Sequence, residues 1–106
     1  MAGFAKVCRV ADVPEGEARH VDVDGVPVAV VHTEGEFYAC RDVCTHEEVP
    51  LSEGDVEGTT VECWLHGSRF DLLTGAPIGL PATVPVQTYP VKIDGEDVLV
   101  ATDQNS

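Results

Sequence analysis

Short runs of alternating hydrophobic and polar residues, separated by turn residues, recur along this chain. Four such runs in its first part lie at residues 4–10, 17–24, 26–32 and 37–40. Alternation with a period of two, or a short continuous apolar run, is typical of β-strands. The pairs Asp24-Gly25 and Glu34-Gly35 favour two-residue hairpin turns between the later runs. We therefore predict an antiparallel meander with tight hairpins in this part of the chain.

The second part of the chain has shorter apolar runs and more turn residues. We predict strands at residues 60–64, 69–71, 87–94 and 97–101. Residues 51–58 read as turns, and residues 76–85 contain three prolines and read as a rigid loop. Because no segment has a helical period, we predict an all-β fold, a small antiparallel β-sandwich or barrel.

Length and composition indicate one globular domain. The chain has 106 residues, of which 43% are hydrophobic, enough for a modest core and too many for a disordered chain. No apolar run approaches the length of a membrane span, and the N-terminal residues lack the apolar core of a signal peptide. We therefore expect a cytoplasmic protein.

The net charge narrows the range of partners. Six basic against nineteen acidic residues give a net charge of −13. This charge disfavours nucleic acid and anionic membranes as partners. It can serve as a solvated surface that keeps the protein in solution, or as a field that attracts basic faces of protein partners. We favour the second interpretation.

Two short sequence boxes combine one thiolate and one imidazole each. The first is Cys44-Thr45-His46, and the second runs from Cys63 through Trp64 and Leu65 to His66, with sixteen residues between His46 and Cys63. Both side-chain types bind soft or borderline metals. The boxes could be a coincidence, a tetrahedral Cys2His2 zinc site, or a binuclear cluster with both thiolates on one metal and both imidazoles on the other. A mixed box suits the third arrangement, because each loop must then touch both metals.

The spacing C-x-H-x16-C-x2-H, followed by Gly67-Ser68, resembles the Rieske [2Fe-2S] proteins. Length and strand pattern are similar to the soluble Rieske ferredoxins of bacterial ring-hydroxylating oxygenase systems. The resemblance implies a single Rieske domain over residues 1–106, with a cluster-binding subdomain at about 41–84. It also implies that one iron is bound by Cys44 and Cys63 and the other by His46 and His66.

The resemblance further implies roles for residues around the ligands. Gly67 belongs to the motif, Trp64 would be a packed shield beside the cluster, and Ser68 would either donate a hydrogen bond to a sulfide or be a plain turn residue. Pro81 is the candidate for the residue that covers the cluster, a role that Pro77 or Pro85 could also fill.

Departures from the respiratory branch of the family bear on the reduction potential. Val49 and Leu65 stand where that branch has a pair of disulfide-bonded cysteines, and Phe70 stands where it has a sulfur-bonding Tyr. We therefore expect a potential in the lower part of the Rieske range of about −150 to +300 mV, raised somewhat by Ser68.

The implied function is one-electron transfer without catalysis by this chain itself. The expected donor is a flavin-dependent ferredoxin reductase, and the expected acceptor is a terminal non-haem iron oxygenase. A ferredoxin that serves another acceptor, such as cluster assembly, and a structural zinc module are the alternatives.

The remaining cysteines and histidines have structural interpretations. Cys8 and Cys40 lie in strand-like apolar runs and are expected to be small buried core residues, with a disulfide between them as the alternative. His20 and His32 lie on predicted strands away from the boxes and are expected at the surface or at strand edges.

Overall fold

The computed structural model describes residues 4–23, 25–43, 49–64, 67–78 and 84–102. In these ranges the chain forms strands and two 3₁₀ turns, Val10–Asp12 and Leu51–Glu53. The strands are β1 (Ala5–Arg9), β2 (Glu17–Val23), β3 (Val26–Thr33), β4 (Glu36–Arg41), β5 (Asp55–Glu57), β6 (Thr60–Glu62), β7 (Arg69–Asp71), β8 (Pro77–Ile78), β9 (Thr88–Tyr89), β10 (Val91–Asp94) and β11 (Asp97–Val100). The prediction of an all-β fold is confirmed.

The described strands pair into three antiparallel sheets. The orders are β1-β11-β10 in the base sheet, β2-β3-β4-β9 in the central sheet, and β5-β6-β7-β8 in the small sheet. Within the described ranges, no helix has the length and apolar character that crossing a membrane would require.

The central sheet lies between two hydrophobic cores, and β3 contributes alternately to both. Val28 and Val30 belong to the core shared with the base sheet, whereas Ala29 and Val31 belong to the core shared with the small sheet. All four side chains are fully buried. Because successive side chains of a strand point to opposite faces, a strand covered on both faces must be apolar throughout. This explains the continuous apolar run that the sequence shows here.

The predicted hairpins on either side of β3 are present. Val23 pairs with Val26 across the first turn, and Thr33 pairs with Glu36 across the second. Glu34 and Gly35 both have positive φ, 55° and 77°. A two-residue turn with positive φ at both positions matches the right-handed twist of the paired strands.

The meander does not include β1, which is a correction. β1 pairs with β11, so the first and last described strands of the fold are neighbours. The 3₁₀ turn after β1 redirects the chain, and the backbone N–H of Val10 donates to the carbonyl of Glu96 at 2.8 Å. This bond holds the end of β1 beside the turn between β10 and β11, where β1 pairs with β11 and not with β2.

The predicted strand at residues 87–94 is two strands, because Pro90 divides it. Tyr89 pairs with β4 in the central sheet, and Val91 pairs with β11 in the base sheet. Proline has no N–H to donate to a ladder, so the chain can leave one sheet and enter the next at this residue. The carbonyl of Pro90 still accepts a hydrogen bond from the N–H of Ala101 at 3.2 Å.

Two strands of the small sheet are present that the sequence pattern did not predict. β5 lies in the segment that was expected to form turns only, and β8 lies at the start of the proline-rich segment. Both are short, and β8 pairs Pro77 with Phe70 in the register of β7. Short strands that are bounded by Gly and Pro carry too little periodicity to be separated from turns.

Candidate metal centre

The second ligand box lies in the connection between β6 and β7, and backbone hydrogen bonds define it. The N–H of Cys63 donates to the carbonyl of Ser68 at 2.6 Å, and the N–H of Gly67 donates to the carbonyl of Cys63 at 3.0 Å. Gly67 has a φ of 76°, which glycine adopts without the steric cost that a side chain brings. The small sheet therefore brings Cys63 and Ser68 together at the base of one loop.

Cys63 is buried, and its neighbour Trp64 is not. Cys63 is 1% exposed and packs in the core of the small sheet with Phe70 and Val61. Trp64 is 52% exposed, and its role as a shield beside the cluster stays a prediction. Trp64 lies in the turn that follows β6, directly after Cys63.

The Ser68 hydroxyl is buried and has no hydrogen-bond partner among the described residues. The residue is fully buried, and leaving a buried hydroxyl unpaired costs about 1–3 kcal/mol. A turn residue would satisfy its hydroxyl with nearby backbone or with solvent. A sulfide or thiolate acceptor at this loop would accept the hydrogen bond, and the donor set beside Cys63 therefore fits the cluster that the sequence motif implies.

Phe70 is buried in the same core, so its role is packing. It is fully buried, which contributes about 1.5–3 kcal/mol of hydrophobic stabilisation. It carries no hydroxyl that could bond a ligand sulfur.

The first ligand box is flanked by a buried carboxylate. Asp42 follows β4, and its side chain is 0% exposed. Its Oδ1 accepts from the N–H of Ser52 at 2.6 Å, and its Oδ2 accepts from the Ser52 hydroxyl at 2.6 Å. Oδ2 also lies 2.6 Å from Nδ1 of His20 on β2. Asp42 and Ser52 were not predicted as site residues from the sequence. The one sequence feature that pointed to Asp42 is its position directly after an apolar strand and two residues before a predicted ligand.

One cation lies among the carboxylates of the small sheet. Arg69 on β7 contacts Glu57 at 2.6 Å and Glu62 at 3.2 Å. The hydrogen bond that Arg69 donates to Glu57, followed by the charges of Glu62 and Glu57, raises the pKa of the Arg69 guanidinium. This pairing links β5, β6 and β7 on the surface of the sheet that carries the second box.

Cys8 and Cys40 have the environment of core residues. In the described part of the chain both are free thiols, so the alternative of a disulfide between them is not supported. Burial raises the pKa of Cys40 to about 12 and also raises the pKa of Cys8. Thiolates rather than thiols bind metals, so these two cysteines are poor ligand candidates. The prediction that they are buried core residues is confirmed.

The two remaining histidines are held by protein groups. His20 is 45% exposed, as expected for a residue on a strand surface. His32 is only 19% exposed, stacks on Phe37 with ring centroids 4.1 Å apart, and bonds the carbonyl of Val13 through Nδ1 at 2.8 Å. The expectation of a surface or strand-edge position is therefore wrong for His32. Its ring is partly buried because it stacks on the Phe37 ring and bonds the Val13 carbonyl.

Several predicted site residues lie outside the described residues. These are Cys44, His46, His66 and Pro81. Their assignment as ligands or as the covering residue stays a prediction from the sequence. The structure places the described members Cys63, Gly67 and Ser68 in one loop.

Comparison with known proteins decides the family. Residues 3–90 match the Rieske [2Fe-2S] domain. The chain belongs to the Rieske [2Fe-2S] family. Its cofactor is therefore a [2Fe-2S] cluster, and the alternative of a structural zinc module is not supported.

Relatives and solved structures agree with this membership. The chain is 49% identical over 94 residues to the 3-phenylpropionate/cinnamic acid dioxygenase ferredoxin subunit of Shigella boydii serotype 4 (strain Sb227), covering 88% of each protein. It is 38% identical to the ferredoxin of carbazole 1,9a-dioxygenase from Nocardioides aromaticivorans IC177, with a TM-score of 0.88 over 92% of this chain and 96% of that one. It is also similar to a chain in the complex of reduced oxygenase and oxidized ferredoxin in carbazole 1,9a-dioxygenase, at 39% identity and a TM-score of 0.86 over 92% of both chains.

These matches confirm the predicted function at the level of its class. The protein is a Rieske ferredoxin, an electron-transfer component of a multicomponent system rather than a catalyst in its own right. The predicted resemblance to ferredoxins of ring-hydroxylating oxygenase systems is confirmed as well.

Proposed function

We propose that the chain holds its cluster through the two sequence boxes and passes single electrons from a flavin-dependent ferredoxin reductase to a terminal non-haem iron oxygenase. The proposed ligands are Cys44, His46, Cys63 and His66. The observation that carries this assignment is the β6–β7 loop, where buried Cys63 lies beside a buried Ser68 hydroxyl that has no partner among the described residues.

In this assignment the cluster, when bound, accepts one electron and gives it up again. Cys63 contributes its thiolate from a dry core, where exclusion of water protects a metal–sulfur site. Gly67 allows the tight return of the loop, and Ser68 donates a hydrogen bond to a sulfur atom. Phe70 packs without donating, which supports a potential in the lower part of the Rieske range. Pro81 remains the proposed covering residue.

The proposed partners follow from the relatives. The Shigella boydii relative is a dioxygenase ferredoxin subunit, and one similar solved chain belongs to an oxygenase–ferredoxin complex. Exposed apolar side chains of Trp64, Ile78 and Val84 adjoin the predicted ligand box and the predicted covering loop. Exposed apolar side chains on a chain with a net charge of −13 suit brief contact with a partner that has a basic surface. These features support an oxygenase, and not a cluster-assembly protein, as the acceptor. The negative charge disfavours nucleic acid and membranes as partners.

The proposed organisation is a single domain at residues 1–106 with a cluster-binding subdomain at about 41–84. The two separate cores on the faces of the central sheet support this division. We place the protein in the cytoplasm, the expected compartment for a reductase-fed electron carrier.

The test is electron delivery to an oxygenase. The protein is reduced anaerobically and mixed by stopped flow with the oxidised terminal component of a 3-phenylpropionate dioxygenase. We expect second-order electron transfer that slows as salt is raised, because salt screens charge attraction. No transfer to that oxygenase, together with fast transfer to a cluster-assembly acceptor, would contradict the proposed acceptor.

A further inference from the structure

The buried carboxylate of Asp42 has a partner on each side of the first ligand box. Asp42 lies two residues before Cys44, and Ser52 lies six residues after His46. Ser52 donates to both carboxylate oxygens, from its backbone N–H and from its hydroxyl. These two bonds bring together the ends of the segment that contains both predicted ligands of the first box.

The same carboxylate is fixed to the central sheet. Its Oδ2 lies 2.6 Å from His20 Nδ1 on β2, and the backbone N–H of Asp42 donates to the carbonyl of Pro27 at 2.9 Å. On the Ser52 side, Leu51 is fully buried in the core between the central and small sheets. Both ends of the segment are therefore attached to rigid structure.

Stability alone does not explain a carboxylate at this position. Burying a charge carries a large desolvation penalty, and a well-packed apolar group often stabilises a protein as much or more. What a buried, fully bonded carboxylate supplies is a fixed geometry among its partners. Fixed geometry is what a loop needs when its thiolate and its imidazole must reach different irons.

We propose that Asp42 is a positioning residue, which joins the two flanks of the first ligand box through its bonds to Ser52 and His20 and thereby controls how firmly the cluster is retained. This inference rests on the proposed ligand assignment. Outer groups that orient metal ligands commonly contribute on the order of tenfold to a hundredfold to metal retention or activity, and we expect Asp42 to act in this way through the flanks of the ligand box.

The experiment uses the purified holoprotein and the variants Asp42→Asn, Ser52→Ala and His20→Gln. The matched control is Asp94→Asn, an exposed carboxylate on β10. Cluster loss is followed by the decay of visible absorbance in the presence of an iron chelator. We expect Asp42→Asn to accelerate loss by on the order of tenfold or more, Ser52→Ala and His20→Gln to accelerate it less, and Asp94→Asn to leave it unchanged.

Two further readouts separate positioning from general destabilisation. Electron paramagnetic resonance of the reduced Asp42→Asn protein should show shifted or broadened g values, and those of Asp94→Asn should match the parent. Amide hydrogen exchange should accelerate in peptides that cover residues 42–52 and remain at the parent rate in β10 and β11. Parent-like g values and loss rate in Asp42→Asn would overturn the proposal, as would faster exchange that extends equally through β10 and β11.

The proposal stays testable if Asp42→Asn does not fold or if the parent protein is isolated without a cluster. If Asp42→Asn does not fold, Ser52→Ala decides the matter, because it keeps the carboxylate and removes one donor; an unchanged rate of cluster loss would then overturn the proposal. A parent protein that is isolated without iron and sulfide would overturn the proposed function instead. The exchange measurement on residues 42–52 would still test the connection between Asp42 and Ser52, since it needs no cluster.

Discussion

The two ligand-bearing loops are held in different ways. The second loop joins adjacent strands β6 and β7, and backbone hydrogen bonds between Cys63, Gly67 and Ser68 define its ends. The described ends of the first loop are joined by the Asp42 side chain, which accepts from the backbone N–H and the hydroxyl of Ser52 and reaches His20 on a different strand. One loop thus depends on local hairpin geometry, and the other depends on contacts between residues that are distant in sequence.

This difference determines which substitutions each loop should tolerate. In the second loop the backbone holds the shape, so only side chains that meet the cluster should matter. At the described ends of the first loop a side chain makes the connection, so residues that never touch the cluster should matter as well.

The largest expected effect is the loss of a ligand from the second loop. Cys63→Ser should abolish the cluster, because a serine oxygen is a much poorer ligand for iron than a thiolate. The β6–β7 hairpin should survive, since the backbone bonds of Cys63 remain. Iron and acid-labile sulfide, with hydrogen exchange in β6 and β7, measure both effects.

Cys40→Ala is the control for that experiment. Cys40 is equally buried, but burial raises its pKa to about 12 and it lies in the central sheet. It should keep the full cluster and lose about 1 kcal/mol of stability from the small cavity. Loss of the cluster in Cys40→Ala with the fold retained would show that the ligand set is wrong.

The next largest effect is expected at Gly54, which connects the segment of the first loop to the small sheet that carries the second loop. Gly54 follows the 3₁₀ turn that contains Ser52, and a Cβ added to it would overlap the carbonyl oxygen of Glu62 on β6. Gly54→Ala should lower the free energy of unfolding by about 3 kcal/mol, because overpacking against backbone cannot be relieved by a rotamer change.

Gly35→Ala provides the matched control. Its φ is positive, but no atom lies within 4 Å of an added Cβ. It should cost only about 1–2 kcal/mol from backbone strain. Equal midpoints of urea unfolding for the two variants would show that the contact between Gly54 and β6 is not tight.

Two serines sharpen the comparison through the reduction potential. The Ser68 hydroxyl has no partner among the described residues, whereas the Ser52 hydroxyl donates to Asp42. Ser68→Ala should lower the potential by about 40 mV, which corresponds to one hydrogen bond of about 1 kcal/mol for a one-electron couple.

Ser52→Ala should leave the potential close to that of the parent and act on cluster retention instead. Protein-film voltammetry measures both potentials. A Ser68→Ala potential equal to that of the parent would reduce Ser68 to a turn residue.

The smallest expected effect is a dependence of stability on pH through His20. The hydrogen bond to Asp42, with the charges of Asp42 and Asp22, raises the pKa of His20 above its usual value. Its contribution to stability should be complete below about pH 6.5 and disappear as pH rises through the higher folded-state pKa.

His20 is 45% exposed, so solvent screening should keep this contribution below about 1 kcal/mol. Urea unfolding of the parent and of His20→Gln across this pH range measures it. We expect the two midpoints to converge at alkaline pH, and a difference that grows with pH would contradict the interaction.

The sequence predicted the parts of the molecule that depend on local pattern. The apolar run of β3, the Glu34-Gly35 turn and the position of Cys63 before a tight return all follow from neighbouring residues. The division of a strand at Pro90 could also have been predicted, because proline cannot continue a ladder on its N–H side.

The parts that the sequence did not predict depend on contacts between distant residues. The pairing of β1 with β11 and the bonds of Asp42 to Ser52 and His20 join segments that no periodicity relates. The partial burial of the His32 ring depends on its stacking against Phe37 across the β3–β4 hairpin. Such contacts follow from the fold. In the sequence they are visible only as a polar residue whose partner is not identified by its neighbours.

The most direct test of the ligand assignment is pulsed electron paramagnetic resonance on the reduced protein, prepared with ¹⁵N-labelled histidine. We predict two histidine nitrogens coupled to the cluster, both retained in His20→Gln and one lost in each protein that lacks His46 or His66. The absence of any histidine coupling, or its loss in His20→Gln with His46 and His66 intact, would contradict the assignment.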